Sequence, residues 1–155
     1  MLAFGEEISI TNDIRNELNR RRPKPGIADV VLTEPDDKTM PVPYMPRPFP
    51  KGSWNITKIA HHDNPSDHYL NPFFIGTDAW QLVEEWDVDP KTGFYVQPTG
   101  RFVRDAGYGV HWPDPEYTTT TLGCLRVVNK EDLLFLVDKI QEAWSIGDAV
   151  RLVVS

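Results

Sequence analysis

A single cysteine, Cys124, sits in the run Thr121-Leu122-Gly123-Cys124-Leu125-Arg126, and a histidine, His111, lies upstream of it. With no second cysteine in the chain, an internal disulfide is excluded, so Cys124 serves either packing or thiolate chemistry. A thiol that attacks an amide carbonyl needs a base to take its proton, usually an imidazole. It also needs donors aimed at the developing oxyanion, which backbone N–H groups beside a glycine supply. Gly123 lets the backbone approach a ligand closely. Arg126 adds a permanent cation whose fork of donors suits a carboxylate. The competing reading is a buried, inert cysteine and an unrelated surface histidine.

Elements must hold these groups, and the chain reads as mainly antiparallel β with one covering helix. Thr11 or Asn12 would cap a short helix through Ile14 and Leu18, ended by Pro23 and Pro25. Strands are expected over 27–32, 53–59, 72–77 and 79–88. In the last of these Trp80, Leu82, Trp86 and Val88 share one parity. Residues 40–51 carry five prolines and read as an extended loop. Asp89 to Gly93 is a turn by its chemistry, with a returning strand from Phe94 to Gln97. Gly107 to Trp112 is a glycine-punctuated strand carrying His111, and the β-branched run 118–121 leads into the cysteine. After Val128 the period becomes helical. Asn129 is a suitable N-cap, Glu131 and Asp132 suit the positive helix start, and Leu133, Leu136, Val137, Ile140, Ala143 and Trp144 recur on one face. Gly147 ends the helix, and 149–154 closes the chain as a strand.

The 155 residues are enough for one domain with a real core. The division expected is a helical extension over 1–26 and a β domain over 27–155. A net charge of −7 argues against a nucleic-acid partner, which needs a basic face. The one basic cluster, Arg20-Arg21-Arg22 with Lys24, reads as a solvated helix end. No apolar run reaches membrane-spanning length, so no integral membrane segment is expected, and the N-terminus lacks a signal-peptide core. Composition leaves the oligomeric state open.

Val110-His111 followed by Thr121-Leu122-Gly123-Cys124-Leu125-Arg126-Val127 resembles the catalytic signature of the L,D-transpeptidases, the YkuD-type domain. Residues 48–56 are similar to the loop in which that family carries Thr-Pro-x-Gly-x-Phe, and residues 129–150 to its short helix and following strand. The resemblance covers 27–155 and is specific over 108–127. It implies an L,D-transpeptidase-like β-sandwich or barrel of mixed strands, with the helix near the C-terminus covering it. It also implies that Cys124 is the nucleophile and His111 the base. The Trp112 carbonyl would hold the far ring nitrogen of His111, and the N–H groups of Gly123 and Cys124 would form the oxyanion hole. Arg126, Tyr108 and Thr121 would contact substrate. The implied substrates are peptidoglycan stem peptides, the intermediate a thioester, the location the periplasm or cell envelope, and no cofactor or metal is needed.

The chain departs from the family's pattern at two positions. Trp112 stands where the family has a small residue. Leu122 stands where it has a second histidine, which makes the surroundings of the thiol more apolar and disfavours the thiolate. Three functions therefore stay open. One is an L,D-transpeptidase or L,D-carboxypeptidase; another is a catalytically weakened peptidoglycan-binding module of the envelope. The third is some other Cys-His amide hydrolase, against which the order histidine before cysteine weighs.

Other features take plainer readings. His61-His62-Asp63 with His68 has ligand-type residues but lies in an Asn/Pro/Ser-rich stretch expected to be a solvated loop. Trp54, Trp80 and Trp86 are expected in the core rather than as a sugar platform. Asp114 and Glu116 would solvate the loop before the cysteine, or attract a cationic side chain.

Overall fold

The computed structural model describes residues 10–11, 26–30, 39–64, 66, 70–114, 116 and 121–155. The expected N-terminal helix, the Arg20-to-Lys24 cluster, His68 and the strand over 118–120 lie outside the described residues. The described part is mainly β, with ten strands and one helix. Its contacts divide the chain into two compact units. The first joins Met1–Ile14, Pro48–Ala79 and Gly107–Ser155; the second joins Arg15–Arg47 and Trp80–Ala106.

The first unit is a six-stranded sheet. Its strands are β1 (Ile10–Thr11), β4 (Gly52–His61), β5 (Phe73–Thr77), β8 (Gly109–His111), β9 (Leu125–Val127) and β10 (Arg151–Val154), in the order β1-β9-β8-β5-β4-β10. Every pairing is antiparallel except β8 with β9, which is parallel. Helix α1 (Lys130–Ser145) packs on this sheet. Its 3.6-residue period puts Leu133, Leu136, Val137 and Ile140 inward, where they meet Ile75, Val110, Leu125 and Val127. Each such side chain contributes about 1.5–3 kcal/mol by leaving water.

Asn129 holds the N-cap position in extended geometry, as its type predicts. Its side chain does not cap a backbone N–H; it donates to Asp132 Oδ2 at 3.3 Å, while its carbonyl accepts from the amides of Asp132 and Leu133. The acidic first turn, Glu131 and Asp132, suits the positive end of the helix.

The second unit is a four-stranded antiparallel sheet: β2 (Gly26–Val30), β3 (Thr39–Val42), β6 (Gln81–Val88) and β7 (Tyr95–Asp105), ordered β3-β2-β7-β6. The start of the proline-dense segment is therefore a strand, not a loop. β3 stands at one end of the strand order, where Pro41 is tolerated because an edge does not demand every N–H. Beyond it Tyr44 bridges to Glu85. Met45 N–H donates to Glu84 O at 3.0 Å and Trp86 N–H to Pro43 O at 3.1 Å, so this sheet curls back on itself. Among the described residues its buried cluster is Val42, Tyr44, Val83 and Val103. The turn between β6 and β7 is built as its residue types predict: Asp89 Oδ1 accepts from Lys91 N at 2.7 Å, and Gly93 N–H donates to Asp89 O at 2.8 Å.

Trp54 packs against the first unit's core and donates from Nε1 to Pro50 O at 2.9 Å. Trp86 lies edge-on to Tyr95, 5.7 Å between centroids. Trp80 corrects its expectation: it is 47% exposed, with the Arg104 guanidinium 5.9 Å from its ring centre. The parity is regular, but the face carrying Trp80 and Leu82 points away from Val83 and its small core.

Candidate active site on the six-stranded sheet

The ladder registers decide which side chains share a face. Ile75, Val110 and Leu125 are aligned across β5, β8 and β9, and all three belong to the helix-facing core. Side chains alternate along a strand, so the neighbouring positions face away from the helix. One row on that opposite face runs Ala60, Phe74, His111, Arg126. The next runs Lys58, Gly76, Gly109, and continues to Cys124, one residue before β9 begins. The parallel pairing of β8 and β9 thus sets His111 and Cys124 in adjacent strands and adjacent rows, on one parity.

Cys124 is half-buried, with Sγ 3.9 Å from the carbonyl oxygen of Gly107, a weak S–H contact. His111 is 5% exposed, and its ring lies 5.9 Å from that of Phe74. Phe74 is a site neighbour that the sequence did not reveal. Its ring lies over Gly109, where a methyl group would collide with the ring and with the carbonyl of Ile75. A glycine inside a strand is the available signal, since it marks close approach of another group.

The turn carrying the cysteine is held by Thr121. Its Oγ1 donates to Cys124 O at 2.7 Å and accepts from Gly123 N–H at 3.2 Å. Gly123 has φ 123°, in the left-handed region that favours glycine. Two expected roles change here. The Gly123 amide is committed to Thr121 and is not aimed at an oxyanion. Thr121 is 7% exposed with its hydroxyl spent inside the turn, so it shapes the backbone around Cys124 instead of facing an open surface.

Tyr108 is also corrected. It is 3% exposed, lies in the helix-side core and meets Phe49 edge-on at 5.4 Å. The parity that sends Val110 into the core sends Tyr108 there as well. Its carbonyl accepts from Thr77 N–H at 3.2 Å and Thr77 Oγ1 at 2.7 Å, which braces the approach to β8.

Arg126 is half-buried and registered opposite His111. Trp112 packs against the core, with Lys130 Nζ 5.6 Å from its ring centre, so its bulk is taken up by packing at the helix start. Leu122 is half-buried in the turn. His61 is exposed and stacks on Phe73 at 4.9 Å. Among the described residues, no group of three His, Cys, Asp or Glu side chains can hold a metal ion. None of the helices described is long and apolar enough to cross a membrane.

Compared with family models, with characterised proteins and with solved structures, the chain matches none.

Proposed function

We propose that the chain is a cysteine acyltransferase of the L,D-transpeptidase kind, built on that family's β-sandwich and acting on peptidoglycan stem peptides. The carrying observation is the parallel β8–β9 register, which sets His111 and Cys124 in adjacent rows on the sheet face away from the helix. His111 takes the thiol proton as the sulfur attacks the amide carbonyl after the diamino acid. The C–S bond forms, the C–N bond breaks, and the proton passes to the leaving amine. An amine from a second stem, or water, then attacks the thioester. It gives its proton to His111, the C–S bond breaks, and the thiol is restored. The Cys124 N–H supports the oxyanion and Arg126 a carboxylate of the donor.

One observation favours the weaker reading, a module that binds stem peptides without turnover: the Gly123 amide is already used inside the turn. Intact-mass measurement after mixing with a purified stem tetrapeptide separates the two. The enzyme reading expects an acyl adduct on the wild type and none on Cys124→Ala. Binding without an adduct would leave the module.

A further inference from the structure

Lys58 is the remaining cation in the rows that hold His111 and Cys124. It occupies the row Lys58, Gly76, Gly109, Cys124, four strands wide. Its alkyl stem does not stand up from the sheet; it lies across Gly76. A methyl group placed on Gly76 would be 2.7 Å from Lys58 Cγ and 2.9 Å from Cε, so the stem needs glycine beneath it. The stem thus carries the ammonium from β4 over β5, the strand next to β8. Lys58 is exposed, and it forms no hydrogen bond or ion pair with any described residue. Next along the row, the Phe74 ring covers Gly109 and supplies an apolar floor between the ammonium and the sulfur.

We infer that Lys58 is a specificity-determining residue that binds a carboxylate of the acyl donor, a conclusion that rests on the acyltransferase reading. Gly76 lies two strand spacings from Cys124, about 10 Å. An extended peptide covers roughly 3.3 Å per residue and an acidic side chain adds its own reach, so the carboxylate recognised belongs to a residue about one or two before the acylated one. The donor crosses the strands on the Phe74 shelf, with its acyl carbon at Cys124 and its acidic group at Lys58. Arg126, in the other row, leaves a second carboxylate to be held on the His111 side. The preferred substrate is therefore an acidic donor; amidation of the distal carboxylate removes the contact.

The test measures acylation rates for wild type, Lys58→Met and Lys58→Arg. Two stem tetrapeptides are used, one with its acidic residue free and one with that carboxylate amidated. Met keeps the stem over Gly76 and removes the charge. The expected result is a loss of about five-fold in kcat/KM for the free-acid peptide, carried by KM. No change is expected for the amidated peptide, and Arg should restore most of the loss. Iodoacetamide labelling of Cys124 should be the same in all three proteins, which a merely structural role of Lys58 would not predict. If wild type is acylated but Lys58→Met treats both peptides as wild type does, Lys58 has no such role and the acyltransferase reading survives. If wild type is acylated by neither peptide, the acyltransferase reading fails, and the Lys58 role fails with it.

Discussion

The two units solve the same packing problem with different means. The six-stranded sheet buries one face under a helix, and twelve buried apolar side chains among the described residues form its core. In the curled four-stranded sheet the described buried cluster is Val42, Tyr44, Val83 and Val103. This sheet closes through the long β6–β7 ladder and the return of residues 43–45 to β6, and two Arg101 donors meet Glu85 Oε2 on its surface. In the first unit helix and sheet share one buried cluster; in the second the sheet closes on itself through backbone pairing. The face that the first unit does not need for its helix is the one that carries His111, Arg126 and Cys124. A well-anchored sheet can afford glycine, a buried histidine and a glycine-dependent turn on its other side.

The sharpest way to break this contrast is chemical. Cys124→Ala should abolish acyl-adduct formation with no fall in melting temperature, and His111→Ala should lower the acylation rate by about 10²–10⁴-fold. Near-normal rates from either variant would mean that the sheet face holds no catalytic pair.

Core truncation comes next. Leu133→Ala should cost about 2–5 kcal/mol, because it leaves a cavity between α1 and the sheet. Val83→Ala in the small core should cost about 1–3 kcal/mol. Hydrogen exchange sharpens the comparison: Val83→Ala should raise exchange in β6 and β7 while leaving α1 protected. A uniform rise across both units would show that they unfold as one.

An effect similar to that of Val83→Ala is expected at Gly109. Gly109→Ala forces Phe74 off its seat and should destabilise by about 1–3 kcal/mol, with a loss of acylation larger than the stability change explains. If acylation is retained in the folded fraction, Phe74 is not a floor of the site. Smallest of all, Arg101→Ala should change unfolding free energy by under about 1 kcal/mol, because the pair with Glu85 is partly solvated. A larger cost in chemical denaturation would assign that pair a central part in the second unit.

Much of the fold was legible because local signals were clean. The helix from Lys130 follows from its cap, acidic first turn and apolar stripe, and β4, β5, β6 and β10 from alternation or β-branched runs. β9 was not legible: Leu-Arg-Val is too short to show a period. β7 runs on through Pro98 and Gly100 to Asp105, residues that locally argue for its end near Gln97. At the site, residue types and spacing singled out His111 and Cys124, but only the ladder register shows that they share a sheet face. Tyr108 and Thr121 were misjudged because burial decides their roles, and burial depends on which parity faces the helix. Lys58 and Phe74 gave no signal of their own; the glycines opposite them, Gly76 and Gly109, did.

The pairing of β1 with β9 has a consequence for how this site is guarded. Ile10 and Thr11 lie alongside Val127 and Arg126, so a two-residue strand from early in the sequence covers the outer edge of β9, the strand that directly follows Cys124. Peeling those two residues away would lay bare unpaired N–H and C=O groups within a few residues of Cys124. Such an edge is a template for another chain's strand. The same short contact that completes the sheet thereby covers the backbone edge beside Cys124.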